Sequence, residues 1–226
     1  QRPNISITDA TGDGGNIDIT TKQLLVKDGA ELSSATFGSG NAGDINIKAD
    51  YIKVSGFSEV VKEDSLTIDG ASTSRQVFST IAATSKGTGN SGDIKISTKE
   101  LKAIDGGDIS VTTFGNGQGG SITVEAELIE FKGAVNSTVP DTDIDEDGKE
   151  VNKDNFSRSG LFAATEGEGK GGDIDVTTNQ LKISDGARIS VSARDKGDGG
   201  NLRIEADYIE LIGVKIEPSS IKSNEN

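Results

Sequence analysis

Cysteine, histidine, methionine and tryptophan are absent from the 226 residues, and only 3 Pro, 2 Tyr and 7 Phe are present. Without cysteine there are no disulfides, no thiol chemistry and no thiolate metal site. Without histidine the chain lacks the commonest general base and the commonest transition-metal ligand. Basic side chains are also scarce, 23 Lys and Arg against 37 Asp and Glu, for a formal charge of −14. That balance argues against nucleic acid and anionic membrane surfaces as partners, because both carry the same sign. No run of 18 apolar residues occurs, so no helical bilayer span and no membrane insertion is expected. Calcium and cationic partners stay compatible with the charge.

What the chain does have is glycine, 30 residues of it, and much of it recurs in one motif. Gly-x-x-Gly, a polar residue and an aliphatic strand appear six times: GDGGNIDI from Gly12, GNAGDINI from Gly40, GNSGDIKI from Gly89, GQGGSITV from Gly117, GKGGDIDV from Gly169 and GDGGNLRI from Gly197. The leading glycines are 28, 49, 28, 52 and 28 residues apart. A 28-residue unit interrupted twice is the signature of a repeat architecture, in which each unit buries its apolar face only against its neighbours.

Within a unit the apolar positions keep fixed places. Ile17, Ile45, Ile94, Ile122, Ile174 and Leu202 open the first strand, and Ile19, Ile47, Ile96, Val124, Val176 and Ile204 come two residues later. That alternation predicts a strand with one face buried. A second strand is predicted seven and nine residues after the first aliphatic, at Leu24 and Val26 and their counterparts, which include Ala103 and Phe131. Counting back eight and six from the next motif gives a third: Leu32 and Ser34, Ile81 and Ala83, Ile109 and Val111, Leu161 and Ala163, Ile189 and Val191. Three short strands cannot close a core alone. Stacked about 4.8 Å from their equivalents they make an all-β fold, a three-sided parallel β-helix of about six coils.

Two acidic columns accompany the repeat. The pairs Asp28-Gly29, Asp105-Gly106 and Asp185-Gly186 stand before the third strand, and Asp44, Asp93 and Asp173 come directly after the glycine motif. Either column reads as a ligand or cation site, or as the residues a tight turn tolerates, the second being favoured. Calcium-binding nonapeptide rolls are excluded by the 28-residue period. Phe37 and Phe114, three before a glycine motif, read as a stacked or semi-buried pair.

Blocks such as KQLLVKDGAELSSATFGSGNAGDINI, KELKAIDGGDISVTTFGNGQGGSITV and SGLFAATEGEGKGGDIDV resemble the repeats of filamentous-haemagglutinin-like exoproteins, the passengers of two-partner secretion, in particular the long surface adhesins of photosynthetic bacteria. The resemblance spans about residues 5–217. It implies a right-handed parallel β-helix, export through an outer-membrane secretion pore, and secretion to the cell surface for adhesion or matrix building. The family's N-terminal secretion domain is not in this sequence. The chain is expected to be a single segment, 1–226, of a longer protein.

The interruptions carry what is individual. Both fall between the second and third strands, at 57–77 and 134–158, and should project side by side from one corner, about 10 Å apart. The first contains SLTIDG and is expected to form an extra strand pair or a folded loop. The second is acid-rich, and its DIDEDGKEVNKD, residues 143–154, matches the spacing of a calcium loop. Asp143, Asp145 and Asp147 would ligate through side chains, Lys149 through its carbonyl, and Asp154 would close the shell in place of the usual Glu. No helix is expected on either side of it. A solvated acidic loop is the alternative. Gly213 corresponds to Gly56 and Gly133, so a third insertion is expected from Val214.

The expected function is therefore non-catalytic: a structural or adhesive stalk with loops touching surface or matrix glycans or proteins. A polysaccharide-processing β-helix enzyme is the first alternative, disfavoured because the outward column Asp18, Asn46, Lys95, Thr123, Asp175 and Arg203 holds no acid pair. A calcium-stabilised subunit that associates end to end into fibres is the second.

Overall fold

The computed structural model describes residues 11–61, 74–136, 141–144, 150–153, 156–193 and 197–213. Every regular element among them is a strand, and none is a helix. Six long strands, β1 (Ile17–Lys27), β3 (Ile45–Ser55), β7 (Ile94–Ile104), β9 (Ile122–Lys132), β15 (Ile174–Ser184) and β17 (Leu202–Ile212), form one sheet in chain order. Five short strands, β2 (Glu31–Thr36), β6 (Thr80–Ser85), β8 (Asp108–Thr113), β14 (Gly160–Thr165) and β16 (Arg188–Ala193), form a second, also in chain order. Every pairing in both sheets is parallel. The remaining six strands are three antiparallel pairs inside the interruptions: β4 (Phe57–Val61) with β5 (Ser74–Phe78), β10 (Ala134–Asn136) with β13 (Phe156–Arg158), and β11 (Asp141–Ile144) with β12 (Glu150–Lys153).

The register is the sequence period made visible. Ile17 pairs with Ile45, Ile45 with Ile94, Ile94 with Ile122, Ile122 with Ile174 and Ile174 with Leu202, whether 28, 49 or 52 residues intervene. The columns predicted to be apolar form the core: Ile45, Ile52, Ile94, Leu101, Ile122, Ile129, Ile174 and Leu181 are fully enclosed, with Ile81, Ile109 and Leu161 facing them from the short sheet. Column members trade volume, Phe131 standing between Ala103 and Ile183, as close packing requires of a ring in an aliphatic row.

One expectation is corrected. The first and second predicted strands are a single 11-residue strand whose inward phase switches partway. In β3 the inward residues are Ile45, Ile47 and Ala49, then Ile52 and Val54, with Asp50 and Tyr51 consecutive on the outside. Strict alternation cannot place both halves on one core, so the strand bends there, and the ladder loses a pair: it skips Lys22 opposite Asp50 and Lys99 opposite Glu127. A small residue sits just before the bend, Thr21, Thr98 and Thr178 alternating with Ala49, Ala126 and Ala206. Each of those threonine hydroxyls donates to the carbonyl two residues on, at 3.1 to 3.3 Å.

The glycine motif carries the backbone ladder across to the next unit. Gly14 N–H donates to Asn41 O at 2.7 Å, Ala42 to Asn90 at 2.9 Å, Ser91 to Gln118 at 3.0 Å and Gly119 to Lys170 at 2.8 Å. Here glycine is required by close approach: a Cβ on Gly43 would overlap the carbonyl of Gly15, and one on Gly92 that of Gly43.

Candidate functional site

The long strands run into a residue placed alike in every unit, and the chain beyond it differs from unit to unit. Asp28, Asp105 and Asp185 have φ of 57°, 53° and 54°, and their counterparts Gly56 and Gly133 have 78° and 87°. Aspartate is among the few side chains that tolerate this left-handed conformation, which accounts for the first acidic column as turn chemistry. After Asp28, Asp105 and Asp185 comes a second left-handed residue, Gly29, Gly106 or Gly186, and the chain turns directly into a short strand. After Gly56 and Gly133 come Phe57 and Ala134, which begin hairpins instead.

Both hairpins have a closed neck. Ser79 N–H donates to Gly56 O at 2.9 Å and Ser159 N–H to Gly133 O at 3.1 Å. The two serine side chains are fully buried and pin the plain turn of the preceding unit: Ser79 Oγ accepts from Gly29 N–H and Ser159 Oγ from Gly106 N–H, each at 3.0 Å. In the first hairpin the Phe57 and Phe78 rings lie 5.5 Å apart. Both insertions flank one turn, because a Cβ on Gly106 would stand 2.8 Å from the Phe78 ring and 3.4 Å from a Val135 methyl.

Of the predicted calcium ligands, Asp143 lies in β11 opposite Val151, within a hairpin closed by Ile144 opposite Glu150. Asp145, Asp147, Lys149 and Asp154 lie outside the described residues, as does the expected third insertion from Val214. Among the described residues no group of three or more acidic side chains is placed to hold a metal ion.

The second acidic column is structural in a way the spacing did not reveal. Asp44 N–H donates to the Asn16 side chain at 2.8 Å, Asp93 N–H to Asp44 at 2.9 Å and Ser121 N–H to Asp93 at 2.8 Å, so each side chain accepts from the backbone of the next unit. A parallel column does the same from Asp13 to Asn41, Asn41 to Asn90 and Asn90 to Gln118.

Two further columns lie on the short-strand side, the first of them exposed. Directly after β2, β6, β8 and β14 stand Phe37, Lys86, Phe114 and Glu166 in successive units, held in line by Lys86 N–H to Thr36 O, Phe114 N–H to Ser85 O and Glu166 N–H to Thr113 O. Phe37 is 53% and Phe114 45% exposed, and the Lys86 ammonium lies 4.9 Å from the Phe37 ring centre. The expectation of a stacked or semi-buried aromatic pair is thus corrected, since an intervening unit puts lysine between the rings. Counting back three from every glycine motif, not only from two, would have found this strip. The second column opens the short strands: Glu31, Thr80, Asp108, Gly160 and Arg188. Some of Asp108 reaches solvent, yet the crowded chain around it strips water from the carboxyl and pushes its pKa up to about 6. Hydrogen bonds from Thr80 and Ser110 oppose that rise, and the Glu31 charge adds to it. Glu31 and Asp108 are an acid pair that the outward column of the long strands gave no hint of; Thr80 separates them by two strand spacings, about 10 Å.

No family model, no curated protein and no solved structure matches this chain.

Proposed function

We propose that the chain is a length of right-handed parallel β-helix from a filamentous-haemagglutinin-like exoprotein, exported through an outer-membrane pore and acting without catalysis as a surface spacer that contacts cell-surface or matrix glycans or proteins. The observation that carries this reading is the register. Each insertion leaves and returns within one unit, and Ile45 still pairs with Ile94, and Ile122 with Ile174, as Ile17 does with Ile45. A scaffold indifferent to what hangs from it suits a protein whose contacts change while its shaft does not. The strip Phe37, Lys86, Phe114 supplies the contact chemistry: ring faces for the C–H side of sugars and an ammonium for their oxygens. In the same reading, the acidic segment 143–154 of the second insertion takes up calcium.

A glycan array run beside a glycan-degradation screen tests the function. Retention without turnover is expected, and Phe37→Ala with Phe114→Ala should lower retention about tenfold, the loss of one to two ring contacts, with thermal stability unchanged. Turnover without retention would replace this reading with the enzyme.

A further inference from the structure

The outward face of the long sheet is charged unevenly. β3 and β7, neighbouring inner strands each paired on both sides, carry five lysines, Lys48, Lys53, Lys95, Lys99 and Lys102, against two acids, Asp50 and Glu100. The next strand, β9, reverses the sign, with Glu125, Glu127 and Glu130 against Lys132. Both acids of the basic strands are already engaged, Asp50 with Lys99 and Glu100 with Lys102, each at 2.9 Å. Among the described residues no ion pair engages Lys48 or Lys95.

Those two lysines are diagonal neighbours. Asn46 lies opposite Lys95 and Lys48 opposite Ser97, while Ile47 and Ile96 between them are buried. Both lysines therefore project outward, from Cα atoms about 8 Å apart. They share an open cleft of about 290 Å³ in which Thr20 and Ser97 add hydroxyls, with Asp18 on β1 and Glu125 on β9 at its two ends. Asn46 Nδ2 donates to Asp18 Oδ1 at 2.9 Å and so turns that carboxylate toward the asparagine. The cleft offers two ammonium groups at its middle, hydroxyls beside them and carboxylates at its limits.

We propose that this cleft binds a single uronate of a glycan whose neighbouring sugars are neutral, the uronate carboxylate lying between Lys48 and Lys95 and sugar hydroxyls donating to Asp18 and Glu125. The proposal rests on the reading of the chain as a glycan-contacting spacer, and adds to it a second face and a ligand class. Two ammonium groups that no acid neutralises supply charge-assisted donors to one carboxylate, and they stand where the local charge is opposite to that of the whole chain. The acids at the ends set the upper limit on ligand charge. A densely sulfated or phosphorylated polymer would bring its next anion onto Asp18 or Glu125, and the formal charge of −14 repels a polyanion lying along the stack. One carboxylate flanked by neutral sugars meets neither obstacle.

A chemical-shift titration of the isotope-labelled full chain with a disaccharide of glucuronate and galactose tests this. Shifts should centre on the Lys48 and Lys95 amides and weaken as salt is added, because exposed charges are screened. The methyl ester of the same disaccharide, and the acid offered to Lys48→Gln with Lys95→Gln, should each bind about tenfold more weakly. Both lysines are exposed, so melting of that variant should match the parent. The same charge removed elsewhere, by Lys170→Gln with Lys182→Gln, should change nothing. No binding at millimolar disaccharide, an ester that binds as the acid does, equal losses in the two lysine variants, or inorganic polyphosphate binding more tightly than the disaccharide each overturns the proposal. Phe37→Ala with Phe114→Ala should leave this titration unchanged, so the cleft can fail while glycan retention by the aromatic strip stands, and the reverse.

Discussion

The odd units and the even units of this chain differ at one position, and that position decides where the molecule is plain and where it is individual. In the first, third and fifth units a left-handed Asp is followed by a left-handed Gly, and two residues complete the turn. In the second and fourth the left-handed residue is itself Gly, and it leads into a segment of 22 residues, 57–78, or 25 residues, 134–158, standing where the others have one Gly. On the far side Ser79 and Ser159 take the place of Ala30, close the neck and reach into the neighbouring plain turn. The plain turns therefore serve as seats for the inserted ones. Loop length costs little once the neck is fixed, since closure entropy grows only logarithmically with length.

The comparison breaks first if the core columns are not what unites both kinds of unit. Ile96→Asp places an uncompensated charge in a fully packed column and should cost about 4 kcal/mol or more, read as loss of the cooperative melting transition; an unchanged melting curve would mean that this strand faces the other way. A sharper version acts on the seat: Gly106→Ala forces a side chain into φ of 84° and within 2.8 Å of the Phe78 ring, and should cost about 2 kcal/mol by chemical denaturation. Gly133→Ala meets only Asp105, at 3.4 Å and beyond, and should cost about half that, so equal losses would deny that the turn is a seat. Replacing 57–78 by a single Gly makes the second unit count as the first does, and should leave the β spectrum intact and move the melting temperature by only a few degrees.

Smaller effects concern charge. The Asp108 carboxyl has a folded pKa raised to about 6 from its ordinary value near 3.8, so its proton is held more tightly in the folded state. Its contribution is complete below about pH 4 and is lost as pH rises through 6. Asp108→Asn should flatten that part of the stability profile and raise stability at pH 7 by on the order of 1 kcal/mol, as urea titrations at pH 4 and 7 would show. Millimolar calcium should raise the melting temperature slightly, and Asp143→Ala with Asp145→Ala should abolish the response. Calorimetry without binding heat would leave the acidic segment a solvated one.

Much of the fold is legible in the sequence, because aliphatic residues at fixed offsets can mean only one register in a period-two strand. Leu32, Ile81, Ile109, Leu161 and Ile189 are placed by counting alone. The bend is less legible. The step from Ile47 to Ile52 is odd-numbered and signals a phase switch, but a phase switch reads equally well as two strands joined by a turn. Ser79 and Ser159 give no signal at all, since a serine that pins another unit's amide looks in sequence like any loop serine. The side chains of Asp44 and Asp93 suggest cations because a carboxylate column is visible in sequence while the amides it faces are not.

The whole architecture depends on successive units lying one strand spacing apart despite their unequal lengths. The chain has no native cysteine, so pairs of introduced thiols can be spin-labelled without background. With one label at Arg203→Cys and the other moved through positions 175, 123, 95, 46 and 18, the mean electron–electron distance should grow by about 4.8 Å per unit, to about 24 Å at position 18. The steps from 175 to 123 and from 95 to 46, which span the two insertions, should be no larger than the others. A jump at either of those steps, or distances that do not rise in order, would contradict the stack.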